Sequence, residues 1–434
     1  MAVSVGRRLA ARAPVPVLAV AGAGARDALL GLRAADGVDP VHSPRHATVL
    51  LVGGVIPGEL FDAVAHVHDQ LPEPRSVVWW GGDDAGTLGI DGTVAVAPDG
   101  DVLGTIQRVH GELVTGERPS TAPVGPAANP VEWRGVGPHG HGGEGMMGGQ
   151  PYGRRMAMTG PDRRDGLQLD RVPLQVGPAL PGFPPGLVLD VELQGDVIQQ
   201  ARSAANPFES GQRVGSPLRS VGDVFDTARR RPVRVAEMEL ARARYHLLRL
   251  AEALQLHGLA SGGRRVARLA VQLRPSDRQR IARLRRWLER GVALWGATAG
   301  VGRLDAGTVE DLGVGGVVAR AAGVPVDARA EDRTYRALGF QTTTRQGGDA
   351  RARWLQRIDE AVQAVQLATA AADATVGADH GVEDPRAGTG AVLAQLPQLL
   401  AGLEWGDAVT TIASLDLDLE AAAGVPPVSS VEWG

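Results

Sequence analysis

Four short apolar runs, "VPVLAVAG", "ATVLLVGG", "SVVWWGG" and "TVAVAP", alternate with helical patterns between Val15 and about Val114. Each run is rich in β-branched or aromatic residues and closes on glycine or proline, the signature of a strand buried on both faces. Between them lie "ARDALLGLRAA" and "GELFDAVAHVHDQL", and "DVLGTIQRVHGELV" follows the last. Strand, helix, strand, helix, strand predicts a parallel sheet with right-handed crossovers. The glycines in "AVAGAGARD" look like a dinucleotide fingerprint, but Arg26 stands where the third glycine would be. A tight strand-to-helix turn needs glycine for its backbone alone, so the pattern reads as a turn.

This unit fills only the first part of a 434-residue chain, and single cores stop growing beyond roughly 250 to 300 residues. Three segments follow: an α/β domain over 1–118, a glycine- and proline-rich linker or irregular arm over 119–186, and an α-rich domain over 187–434. The last opens on "GLVLDVELQGDVIQQARS", which alternates as an antiparallel hairpin does, with Leu187, Leu189, Val191 and Leu193 on one face. In "AEMELARARYHLLRLAEALQLHG" the positions Leu240, Ala243, Leu247, Leu250 and Leu254 recur at helical spacing, and Gly258 is a natural stop. A second helix, "SDRQRIARLRRWLERG", begins with Ser276 and Gln279 at capping-box spacing. A third runs from about Ala352 to Ala372 through Leu355, Ile358, Val362 and Val365.

Composition narrows the chemistry. The chain has no cysteine, which removes disulfides, thiolate nucleophiles, zinc–thiolate sites and the usual ligands of iron–sulfur clusters. A net charge of −4 argues against nucleic acid. The arginine-rich stretch 264–290 is read as a solvated face or a dock for an acidic neighbour. No apolar run reaches the roughly 18 residues of a membrane span, and no cleavable leader is evident, so the expected place is the cytoplasm.

The stretch "GPHGHGGEGMMGGQPYGRR", residues 137–155, offers one soft metal site, made from His139, His141, Met146 and Met147. Ordering so glycine-rich a loop on a metal costs much entropy, so the competing reading is a span joining two folded parts.

"SPRHATVLLVGGVIPGELFDAVAHVHDQLPEPRSVVWWGG", residues 43–82, resembles the small iron–sulfur subunit of respiratory complex I and of membrane-bound energy-converting nickel–iron hydrogenases. The second half resembles their large, quinone-facing partner subunit. "LVLDVELQGDVI" matches its hairpin, and "MELARARYHLLRLAE" its first long core helix, with Glu239, Arg242 and His246 in the family's positions. "DLGVGGVVARAAGVPVDAR" matches its glycine-rich turn with Arg320, Asp327 and Arg329, and "DAVTTIASLDLDL" its carboxy-terminal segment with Ser414 and Asp416. The resemblance implies a flavodoxin-like parallel-sheet domain fused to a mainly α large-subunit-like domain with a small antiparallel sheet. Two roles are implied for the named charges: a polar connection toward a membrane arm, or structural ion pairs. Arg320, Asp327 and Arg329 could likewise hold a ligand or pin their turn to the core.

The departures from the family pattern bear on cofactors. Where a cluster cysteine is normally found, "WWGGDDAG" places Asp83, a hard oxygen donor that cannot replace a thiolate. No cysteine is present for nickel and iron. The turn "LPGFPPG" lacks the histidine that relatives offer to a quinone carbonyl, and no tyrosine lies between Tyr152 and Tyr245. The expectation is a redox-silent, peripheral subunit on the cytoplasmic face of a complex I-like membrane complex, without Fe–S or Ni–Fe centres, that couples antiporter-like membrane subunits. Two alternatives stand beside it: a quinone-binding oxidoreductase subunit with altered donors, and a His/Met metal-binding protein.

Overall fold

The computed structural model of the protein describes residues 6–7, 9–82, 85–125, 158–180, 182–209, 218–377, 382–386 and 390–423. Strands β1 (Val15–Ala21), β2 (Val38–Pro40), β3 (Val49–Gly53), β4 (Ser76–Trp80) and β5 (Val94–Val96) form one parallel sheet in the order β2-β1-β3-β4-β5. That is the strand order of flavodoxin-like doubly wound sheets. Alternate side chains fill two cores. Val15, Val17, Val49, Leu51 and Val78 pack with Leu29 of α1 (Arg26–Leu32) and with Ile106 and Val109 of α3 (Val102–Thr115). Leu18, Val20, Leu50, Val52 and Val77 pack on the other face with Leu60 and with Val64 of α2 (Phe61–Asp69). Both faces are covered, which is why the strands read as continuous apolar runs. The edge strand β2 escapes such a reading because "VDP" holds one apolar residue and a proline.

A second sheet is antiparallel, in the order β6-β7-β8-β9. Its hairpin β8 (Leu189–Gln194) and β9 (Val197–Ser203) has the expected alternation, with Leu189 and Val191 buried and Asp190 exposed. The other two strands, β6 (Met158–Pro161) and β7 (Gln168–Val176), come from the segment read as linker or arm. They belong to the sheet instead. Leu169, Val172 and Leu174 of β7 remain exposed, and Pro173 interrupts its donors. Backbone pairing with β8, rather than burial, makes this strand, and although Val172, Leu174 and Val176 alternate, the Pro173 between them reads against a strand.

The helical part is built on α4 (Val235–Leu256), α5 (Ala260–Val271), α6 (Arg278–Glu289) and α8 (Ala350–Ala370), with a short α7 (Gly316–Ala321) between the last two. Leu247, Leu250, Leu254, Val266, Ile281, Trp354 and Ile358 share one core, which Leu30 of α1 enters from the sheet domain. Gly258 lies at φ +77°, a left-handed residue that ends α4 as the sequence suggests. The start of α6 differs from expectation. Asp277 accepts from the Arg274 backbone N–H at 3.0 Å in the turn before the helix, so the Ser276–Gln279 pair is not the cap. Near the end of the chain come α9 (Trp405–Leu415) and α10 (Leu419–Ala422).

Candidate functional site

Helices α4 and α8 face each other with charge as well as apolar surface between them. Along α4, Glu239, Arg242, His246 and Arg249 recur every three or four residues and so share a face. Along α8, Arg353, Arg357 and Glu360 do the same. All seven are buried. Isolated charges in such a place would cost several kcal/mol each, so partners are obligatory, and the partners form two clusters.

The first cluster gathers the residues of two separate motifs. Glu239 accepts from the Tyr335 hydroxyl at 2.6 Å, from Arg242 Nε at 3.2 Å and from Arg329 Nη1 at 3.1 Å. Arg329 also forks onto Asp327 at 3.0 and 2.8 Å. On α7, Arg320 forks onto both oxygens of Glu360 at 2.8 and 3.0 Å, with Glu383 at 2.8 Å and Asp327 at 3.3 Å. His246 Nε2 lies 3.2 Å from Glu360 Oε2, a close contact rather than an aligned hydrogen bond. Burial opposes the charge on Glu360 and Asp327, yet the guanidiniums hold both carboxyls below the usual range. Burial drives His246 down to about 4, against the pull of Glu360, so its ring is neutral at pH 7. Arg320, Asp327 and Arg329 are thus pinned into the core. The glycine-rich turn that carries them is anchored on two helices at once.

The second cluster joins the sheet domain to the helices. Asp416, just after α9, accepts from the Tyr245 hydroxyl at 2.7 Å and pairs with Arg26 at 2.8 Å and Arg357 at 3.2 Å. It sits at φ +56°, a left-handed position that aspartate tolerates better than most residues. Arg26 also reaches Glu252 at 2.8 Å, while Arg249 closes on Asp27, which accepts from Ser220 as well. Burial raises and three arginines lower the Asp416 carboxyl, which ends well below the ordinary carboxylate range. Ser414 is a receiver for Arg353, whose Nε and Nη2 donate to its Oγ at 3.0 and 2.8 Å. Its hydrogen-bond acceptors are carbonyls and a hydroxyl, and burial pushes Arg353 down to about 9 against the pull of Asp349. Beside this cluster the Gly24 N–H donates to both oxygens of Glu420, at 2.9 and 2.8 Å. Burial and nearby Asp418 push that carboxyl up to about 7.

Glu239, Arg242, His246, Arg320, Asp327 and Arg329 therefore meet in one place, and Asp416 with Ser414 in the next. His139, His141, Met146, Met147 and Asp83 lie outside the described residues. Among the described residues no group of three or more His, Asp or Glu side chains is placed to hold a metal ion. Sequence reading missed Glu360, Arg353 and Arg357, because in "RARWLQRIDEAVQ" they interleave with an apolar stripe and pass for a solvent face. It also missed Arg26 as an ion-pair partner, having weighed that position only against glycine. No helix among the described residues is long and apolar enough to cross a membrane.

Comparison with known proteins agrees with the motifs. Residues 273–390 match the family described as the 49 kDa subunit of respiratory-chain NADH dehydrogenase. A D-type subunit of NADH-quinone oxidoreductase from Sinorhizobium medicae is 37% identical over 90 residues, 20% of this chain and 22% of that protein. A B-type subunit of NADH-quinone oxidoreductase from Amoebophilus asiaticus is 42% identical over 45 residues, 10% of this chain and 28% of that one. The chain thus spans under a third of the length of either relative. A chain in the structure of the membrane-bound sulfane sulfur reductase, an archaeal respiratory membrane complex, aligns at a TM-score of 0.45 and 15% identity, covering 58% of this chain and 98% of that one. Similarity to both a B-type and a D-type protein, together with the 49 kDa segment, relates this chain to the complex I family.

Proposed function

We propose that the chain is a peripheral subunit of a complex I-like membrane assembly, on its cytoplasmic side, and that it carries no electrons itself. In this reading, small- and large-subunit modules are fused, and the protein caps and couples ion-translocating, antiporter-like membrane subunits through shape and fixed charge. One observation supports it above the others. The chain retains a buried, largely ion-paired line of charge on α4 and α8 while holding no cysteine to ligate a cluster. From Glu239 to Glu252 that line extends about 20 Å at 1.5 Å per helical residue. Fixed, paired charges of this kind respond to a neighbouring charge by reorganising, which is a coupling device that needs no redox centre.

Affinity purification of the tagged chain from detergent-solubilised membranes of its own organism tests the proposal. Co-purification with polytopic membrane proteins is the expected result, and elution as a lone polypeptide would count against it. Freshly isolated protein should also lack the visible absorption of bound iron and sulfide. Titration with a short-chain quinone, followed by tryptophan fluorescence, is expected to give no saturable change; saturation would favour the quinone-binding alternative.

A further inference from the structure

Arg244 projects from the outer side of α4, away from the charge line, and is half-buried. Its Nη2 donates to the Leu273 carbonyl at 3.0 Å, and among the described residues it forms no ion pair. Burial lowers its pKa from the ordinary arginine value. A guanidinium offers five donors, so most of its binding capacity is unspent. It lines an open cleft of about 790 Å³ together with Gln272, Arg274, Ser276, Asp277 and Arg280. Asp277, the one carboxylate there, is already engaged by the Arg274 backbone N–H at 3.0 Å and by Arg280 at 2.9 Å. Three guanidiniums face one occupied carboxylate, leaving a net positive site in a chain of net charge −4.

A second, smaller cavity of about 190 Å³ adjoins it, and Arg244 and Val271 line both. Its wall is mostly apolar, formed by Ala28 and Gly31 of α1, Val221, Leu248 and Ala270. Asp27 at its edge is occupied by Arg249 and Ser220, and so does not repel an anion as a free carboxylate would. Arg219 adds a further cation at that edge. A cationic cleft opening onto an apolar recess is complementary to one kind of molecule, because arginine forks suit oxyanions and the recess suits hydrocarbon.

We propose that this double cavity binds an amphiphilic oxyanion, its phosphate or carboxylate head held by Arg244, Arg274 and Arg280 and its short apolar tail lodged against Ala28, Leu248 and Val271. The site touches the second charge cluster through Asp27, and does not depend on the coupling role proposed above. A lipid headgroup with the start of its chain and a free alkyl phosphate share this chemistry.

Calorimetric titration of the full chain with octyl phosphate below its micellar concentration, and with inorganic phosphate, tests the proposal. Octyl phosphate should bind saturably and at least tenfold more tightly than inorganic phosphate. R274Q/R280Q, at two exposed positions, should weaken it at least tenfold with an unchanged melting temperature, and R244Q should also weaken it at least tenfold. Vesicles of phosphatidylglycerol, compared with phosphatidylcholine, then separate the sources: selective vesicle binding assigns the site to a membrane headgroup, and octyl phosphate binding without it assigns a soluble amphiphile. Equal affinity for the two phosphates, no saturable heat, or a dissociation constant indifferent to R274Q/R280Q overturns the proposal.

Discussion

Arg26, at the start of the first helix, and Asp416, just beyond the end of α9, meet at 2.8 Å across 390 positions of sequence. The contact is a structural hinge pin between sheet and helices, since Asp416 also receives Tyr245 and Arg357 from the helical core.

Asp416→Asn should therefore be costly. Asparagine tolerates the left-handed backbone, so the substitution tests the charge alone. It leaves Arg26, Arg249 and Arg357 buried around a neutral amide, and breaking a buried pair from one side costs about 3–5 kcal/mol. Urea denaturation of the variant should show that loss. A loss below about 1 kcal/mol would mean that water reaches the cluster.

His246 and Glu420 set opposite pH slopes in overlapping windows. The unfolded histidine takes up a proton near 6.5 and the folded one only near 4, so stability rises with pH between these values, by about 3 kcal/mol at 1.36 kcal/mol per unit. Glu420 has a folded value near 7 against 4.5 unfolded. Its protonated form is favoured by folding, so stability falls as pH rises through that range, by about 2 kcal/mol after allowance for its partial exposure. In the native chain the two slopes oppose each other. In Glu420→Gln, stability should climb with pH from about 4 to 6.5, and in His246→Asn it should decline from about 4.5 to 7. Unchanged slopes in denaturation series across pH would refute both assignments.

Glu360→Gln removes half of a bidentate, fully buried pair with Arg320. The expected loss is again about 3–5 kcal/mol. Because Glu360 favours the charged imidazole, the His246 ring should titrate still lower in the variant. Side-chain NMR of the histidine reads this directly, and an upward move would sink the idea.

Arg353→Met should be milder. The guanidinium serves Ser414 and the carbonyls of Gly302 and Gly348 but no carboxylate, so its loss strands neutral acceptors only. The Gly348 carbonyl keeps the Leu304 N–H and the Ser414 hydroxyl keeps the Thr411 carbonyl, so the Gly302 carbonyl is the acceptor left unpaired, at a cost of about 1–3 kcal/mol. Thermal unfolding should place this variant between the native chain and Asp416→Asn.

The sheet domain was legible because burial on both faces writes itself as unbroken apolar runs, with β2 too short to leave one. The four-stranded sheet was half legible. Its hairpin alternates, whereas β7 is exposed and relies on backbone bonds that composition does not record. Among the charges, Glu239, Arg242, His246, Arg320, Asp327 and Arg329 were found through motif resemblance, and their meeting in one cluster is what the structure adds. Arg357 and Glu360 stayed hidden because a charged residue on a long helix looks the same whether it faces water or a buried partner.

The position of Asp416 has a consequence for how the chain matures. During synthesis Arg26 and Asp27 leave the ribosome hundreds of residues before α9 exists, so the nascent sheet domain carries orphaned ions on the very surface that must later become dry. Docking of that surface begins once α4 supplies Arg249 and Glu252, and it is completed only when Asp416 arrives with the last helices.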